Sequence, residues 1–164
     1  MSDTVLYYLD TNAFFKFYFS PDEISKAQIR TLATDGATLC ISNLTYLEFL
    51  GMLMRKYRNN ELRKKTLGKI VAQLEEDVGT ERRFHIIPVQ EDIFSEARRL
   101  MLRYGGDYAL GTNDALHIVM AKTFSPEMIM VTSDGGKSDG KMKGVCRELG
   151  LNIFDPEQPI NIAE

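Results

Sequence analysis

Cysteine, histidine and net positive charge are all scarce in this chain of 164 residues. It has two cysteines, Cys40 and Cys146, with no CxxC spacing and no histidine beside them, which excludes a zinc knuckle and a disulfide framework. Cys40 lies in the apolar stretch TLCIS and reads as a small packed hydrophobe. The net charge of −3 and pI of about 5.5 exclude a protein that coats nucleic acid by bulk positive charge. They leave room for an enzyme that meets nucleic acid where acidic side chains are masked by metal, since the ion inverts the local charge. No apolar run approaches the roughly 20 residues a bilayer span needs. The start, MSDTVLYYLD, lacks the basic-then-apolar order of a signal peptide, so a cytoplasmic location is expected. No repeat, low-complexity tract or Pro/Gly-rich linker divides the chain, and residues 1–164 are expected to form a single domain with a sizeable core.

Four short apolar runs read as buried strands: Val5 to Leu9, Thr38 to Ile41, Phe84 to Val89 and Met128 to Thr132, with a weaker fifth from Leu151 to Phe154. Helical signals fill the gaps. Ser20-Pro21-Asp22-Glu23 carries a capping serine, a first-turn proline and acids for the positive end of the dipole. Leu47, Leu50, Met54 and Tyr57 recur at helical spacing, as do Leu67, Ile70, Val71, Leu74 and Val78. Ile93, Ala97, Leu100, Met101 and Tyr104 form another stripe, and Thr112 or Asn113 can cap a helix through Ala115, Ile118, Val119 and Ala121. Lys141 to Leu149 can form a last helix closed by Gly150. Strands alternating with helices predict an α/β chain, a three-layer α/β/α sandwich around a mostly parallel central sheet.

Four carboxylates stand out against that pattern. Asp10 and Asp134 each follow directly on an expected strand, and functional groups in an open parallel sheet gather beyond the carboxyl ends of strands. Glu48 has Leu44, Thr45, Gly51 and Met52 as its helical neighbours, so it is expected to turn into the fold, where an unpaired carboxylate is costly. Asp114 opens a helix continuing as ALHIVMA, whose acidic first turn is expected at the sheet rim. Each acid has a plainer reading: Asp10 as a helix cap, Asp134 as a turn residue before Gly135-Gly136, Asp114 as a complement to the helix dipole, Glu48 as half of a buried ion pair. A metal site explains all four together.

The segments YLDTN, TYLEF, TNDALHIVMA and VTSD stand in the order and approximate spacing of PIN-domain nucleases, especially VapC-type toxins of toxin–antitoxin pairs. The likeness runs from about Val5 to Phe154. This resemblance implies that Asp10, Glu48, Asp114 and Asp134 bind metal and serve catalysis, with Asn12 and Thr132 as supporting polar residues. It also implies a divalent-metal-dependent endoribonuclease, a homodimer and a small antitoxin partner. One departure is that many relatives carry an acid two residues past the last motif aspartate, where this chain has Gly136; Asp139 lies further on.

The chemistry is consistent. Carboxylates are hard oxygen ligands that select Mg²⁺ or Mn²⁺. The only histidines are His85, in a strand, and His117, which reads as a core histidine one turn after Asp114, though within reach of substrate. For RNA contact, Arg55, Lys56 and Arg58 with Tyr57, followed by Arg63, Lys64 and Lys65, suit a single strand, or else form only a solvated helical surface. Arg98, Arg99 and Arg103 make a weaker patch, and Lys137, Lys141 and Lys143 flank Asp134 closely enough to meet phosphate. The aromatic cluster Tyr7, Tyr8, Phe14, Phe15, Phe17, Tyr18 and Phe19 offers an antitoxin surface, or fills the core and a dimer interface.

Three rivals compete. A HAD-type phosphotransferase needs a second aspartate where Asn12 stands, and a response-regulator receiver has no use for TNDALHIVMA. The third is a non-catalytic RNA-binding or scaffold form of the same fold, against which the intact acids weigh.

Overall fold

The computed structural model of the chain describes residues 4–19, 23–34, 36–134 and 141–158. The chain runs β1 (Leu6–Leu9), α1 (Thr11–Phe19), α2 (Glu23–Thr34), β2 (Thr38–Ser42), α3 (Asn43–Arg58), α4 (Lys64–Glu75), β3 (Phe84–Ile87), α5 (Ile93–Tyr108), α6 (Thr112–Phe124), β4 (Ile129–Val131), α7 (Lys141–Glu148) and β5 (Asn152–Phe154). A π-helical turn, Glu76–Thr80, extends α4. All strand pairings are parallel, in the order β3-β2-β1-β4-β5. The expected α/β/α sandwich is borne out, with a sheet that is parallel throughout.

The topology follows from handedness. Parallel crossovers are right-handed, so the direction in which strands are added decides which face the intervening helices cover. From β1 to β3 the chain steps one way, and α1 to α4 pack on one face; from β3 it returns past β1 to β4 and β5, and α5 to α7 cover the other. The strand residues sort by alternation. Tyr8, Cys40 and Met130 join the core beneath α5, α6 and α7. Leu9, Leu39, Ile41 and Val131 join the core beneath α1 to α4. Cys40 is a buried free thiol, as its apolar surroundings imply.

Local chemistry sets several boundaries. β3 stops at Ile87, two residues short of the expected end, because Pro88 has no N–H for the ladder. The cap of α6 is Gly111, not Thr112 or Asn113; the Asp114 carboxylate accepts the Gly111 N–H at 3.2 Å. A Cβ at Gly111 would meet that Asp114 oxygen at 2.9 Å, which favours glycine there. α7 is closed as expected, with Gly150 at φ +71°. The proposed helix start Ser20-Pro21-Asp22 lies outside the described residues.

The stripe Leu47, Leu50, Met54 and Tyr57 is helical as its spacing implies, but only Leu50 packs against the core; Leu47, Met54 and Tyr57 are exposed, Leu47 to 68%. The buried face is Thr45, Phe49 and Leu53. The aromatic cluster also divides: Tyr8, Phe14 and Phe17 are core, whereas Tyr7, Phe15, Tyr18 and Phe19 are half-buried around them. Phe14 meets the rings of Phe49 and Phe84 edge-on, each at 5.0 Å between centroids. Among the described residues no helix is long and apolar enough to cross a membrane.

Candidate functional site

The strand order reverses at β1, with β2 on one side and β4 on the other, the switch point at whose carboxyl edge an open parallel sheet forms its crevice. Asp10 stands at its floor. Its carboxylate accepts the Ala13 N–H at 2.7 Å, so it caps α1 as the plainer reading held, while buried to 3% exposure. Burial pushes the Asp10 carboxyl above the ordinary carboxylate range, against hydrogen bonds from Thr132 and the Ala13 N–H, and the neighbouring Asp134 charge adds to the rise. Thr132, fully buried, also accepts the Asp134 N–H at 3.0 Å, so one hydroxyl serves both acids.

Asp134 ends the described stretch after β4. Its Oδ1 lies 3.7 Å from the Lys141 ammonium. Its Oδ2 is buried without a hydrogen-bond partner among the described residues. Asp114, in the first turn of α6, is half-buried and likewise raised, by burial first and then by the Asp134 charge. Glu48 comes from the second turn of α3. Burial works to raise it, but hydrogen bonds from His117, Thr11 and Asn113 together hold it below its ordinary value. It is therefore neither in a simple ion pair nor turned wholly into the core.

Asp10, Glu48 and Asp114 line one open cavity of about 530 Å³, together with Thr11, Asn12, Asn113 and His117. Arg55 and Arg58 line its outer part. Glu48, Met52 and Arg55 repeat at helical spacing along α3, so the face that carries the acid also carries the guanidinium. Asn12 is exposed in the cavity wall. Lys56 does not line it: its ammonium pairs with Glu61 at 2.8 Å and stands over the Phe15 ring. Lys143 is a correction, since it is buried and paired with Asp155, far from the solvated role of a phosphate contact. Arg99 pairs with Glu96, and Arg103 stands over Tyr104, so that weaker patch is largely engaged on α5 itself. Lys137, Gly136 and Asp139 lie outside the described residues.

Thr11 carries no signal in the sequence, Asn113 reads there only as a cap, Tyr8 only as one of the aromatic cluster, and His117 as a core histidine within reach of substrate. His117 is indeed buried and hydrogen-bonded, but its partner is Glu48: Nε2 to Oε2 is 2.8 Å. Spacing gives no sign of this, because the two residues lie on α3 and α6.

Among the described residues no three acidic, histidine or cysteine side chains close into a ready-made coordination cage. The donor set nevertheless fits a hard divalent cation. Mg²⁺ takes one or two protein carboxylates and keeps several waters. The Asp134 Oδ2, without a partner among the described residues, and the raised Asp10 and Asp114 carboxyls are groups whose burial a cation offsets.

An all-parallel α/β sheet with a crevice at its switch point is an architecture shared by a broad class of proteins. Within it, the chain belongs to the PIN domain family, whose profile matches residues 7–135. No curated protein matches it by sequence. Solved structures of similar fold include FitAcB from Neisseria gonorrhoeae, with a TM-score of 0.64 at 18% identity, covering 93% of this chain and 99% of that one. VapBC-1 from nontypeable Haemophilus influenzae gives 0.62 at 17% identity, covering 94% and 100%. A toxin–antitoxin complex from Klebsiella pneumoniae gives 0.54 at 17%, covering 95% and 100%.

Proposed function

We propose that the chain is a divalent-metal-dependent endoribonuclease, the toxin of a toxin–antitoxin pair, with Asp10, Glu48, Asp114 and Asp134 as its metal-binding and catalytic acids. The observation that carries this reading is the cavity itself. Three carboxylates face a space whose outer wall is cationic. Acids alone would repel a phosphodiester; acids holding a cation, with arginines beyond them, attract one.

Mg²⁺ or Mn²⁺, when bound, supplies charge to activate water and stabilise the departing oxyanion. The chain's own residues do the rest. Arg55 and Arg58 hold flanking phosphates, giving bidentate contacts that a lysine would not. Asn12 offers an amide to the substrate at the mouth, and Thr132 keeps Asp10 turned toward Asp134. A cavity of about 530 Å³, open to solvent, suits a splayed single strand better than a duplex.

The toxin role rests on the fold shared with toxin–antitoxin complexes, on the half-buried aromatics Phe15, Tyr18 and Phe19, and, on another side of α3, on the exposed Leu47 and Met54. That apolar surface suits a small antitoxin, and a second copy of the chain elsewhere on the molecule. Incubation with a panel of structured RNAs, with Mn²⁺ or with excess EDTA, tests the chemistry. Cleavage should need metal and vanish in Asp10→Asn and Asp114→Asn. Full activity in EDTA rules out the metal mechanism, and binding without cleavage favours the scaffold form. Expression alone should slow growth, Asp10→Asn should not, and co-expression of a small antitoxin that binds the chain should restore it.

A further inference from the structure

Behind Glu48 runs a buried polar chain that the proposed reaction leaves unused. The Tyr8 hydroxyl, fully buried, lies 2.7 Å from His117 Nδ1, 2.9 Å from Ser42 Oγ and 3.5 Å from Thr45 Oγ1. Ser42 and Thr45 are the capping pair of α3: Ser42 Oγ accepts the Thr45 N–H at 3.0 Å, and Thr45 Oγ1 accepts the Ser42 N–H at 3.3 Å. One hydroxyl on β1 therefore ties the start of α3 to the middle of α6. Glu48, one turn further along α3, faces His117 across that tie.

The Glu48 carboxylate settles the proton on the far ring nitrogen. Two acceptors cannot rest 2.8 Å apart, so Nε2 carries a hydrogen and donates to Oε2. Thr11 donates to the same oxygen, and Asn113 donates to Oε1. A carboxylate offers about four lone-pair directions. Three are taken by the chain's own donors.

We propose that His117, held from behind by Tyr8, is the positioning residue of this site: it fixes Glu48 in one orientation and leaves it a single acceptor direction toward the cavity. This rests on the metal-nuclease reading, because a lone free direction matters only if a cation or its water is to take it. A buried network satisfied at every member would hold the core together whatever Glu48 did, so the test must separate orientation from folding. Partners in the shell behind a metal-binding group are typically worth 10–100-fold in metal affinity.

The experiment uses the full chain and Mn²⁺ alone, without RNA, at one fixed pH. Tyr8→Phe keeps the ring and removes only the hydroxyl behind His117. His117→Gln keeps a donor where Nε2 stands, and His117→Leu keeps the bulk without it. Each is melted to compare folding and then titrated with Mn²⁺. We expect Tyr8→Phe and His117→Leu to bind Mn²⁺ about 10–100-fold more weakly, with His117→Gln recovering most of the loss. In parallel, long-range ¹H–¹⁵N spectra of the wild type, which has only His85 besides, should show His117 as one Nε2-protonated form. Tyr8→Phe, in which the Glu48 acceptor remains, should keep that Nε2 proton and shift only the Nδ1 resonance. Wild-type binding with Mn²⁺ affinity equal in all variants overturns the positioning role alone, as does a His117 ring that averages in the wild type. A wild-type chain that binds no Mn²⁺ overturns this role and the metal-nuclease reading together.

Discussion

The Asp10 N–H donates to the Val131 carbonyl across 3.2 Å, carrying the β1–β4 ladder one residue past the paired Leu9 and Val131. That bond fixes where the Asp10 carboxylate stands relative to Asp134, which lies three residues beyond Val131, past the end of the neighbouring strand. Each acid is then close enough for the Asp134 charge to raise Asp10. A sheet register has become an electrostatic relationship.

The folded chain thus disfavours ionised Asp10 in the absence of a cation. Its carboxyl is raised above the ordinary 3.8, so the stability deficit is present near neutral pH. It shrinks as pH falls through the raised folded value toward 3.8. Asp10→Asn removes the charge while asparagine still caps α1. Expected is a higher melting temperature than wild type in EDTA, by about 2–4 °C per kcal/mol recovered. Mn²⁺ should raise the wild type and leave the variant unmoved. Melts with and without Mn²⁺ decide it, and a wild type indifferent to Mn²⁺ counts against the site.

Arg55 and Arg58 line the cavity, whereas Lys56 is engaged with Glu61 and Phe15. Arg55→Ala and Arg58→Ala should each raise KM for RNA with little change in kcat. Each should also lower the slope of log affinity against log salt by about 0.7. Lys56→Ala should do neither. Equal losses at all three positions in a salt titration would mean a diffuse basic surface in place of a defined path.

Lys143 and Asp155 are buried partners, 3% and 9% exposed at their side chains. Removing either alone should cost about 3–5 kcal/mol, while Lys143→Met with Asp155→Leu should fall close to wild type. Burial works to raise Asp155, but its hydrogen bonds, led by that from Lys143, hold it below its ordinary 3.8. Its contribution is therefore complete above 3.8 and lost as pH falls through the lower folded value. Urea unfolding of the four proteins at neutral and acid pH should show the coupling shrink in acid.

The two faces of α3 give a stability contrast. Phe49→Ala, in the aromatic core, should cost about 3–5 kcal/mol. Leu47→Ala, 68% exposed, should stay within about 0.5 kcal/mol. Denaturant midpoints measure both, and comparable losses would show that the outer stripe is covered in solution, as by a second copy.

Much of this architecture was legible because it is local. Short β-branched and aromatic runs, alternating with 3.6-residue periodicity, sufficed for a parallel α/β sheet, and an aspartate after a strand sufficed to place Asp10 and Asp134 at its edge. Local pattern could not say which stripe of α3 faces inward, since Leu47-Leu50-Met54 and Thr45-Phe49-Leu53 share the same period. Packing against Phe14 chose between them. It could not free Lys143 from its look of a phosphate contact either, because Asp155 reaches it from β5's far end only once the sheet is formed. His117 is the clearest case. Its apolar neighbours mark it as buried, and buried it is; that it buries against Glu48, with Tyr8 behind it, depends on α3, α6 and β1 meeting at one point. Periodicity is carried by each segment alone, whereas a hydrogen bond between segments exists only where the tertiary fold brings donor and acceptor within about 3 Å.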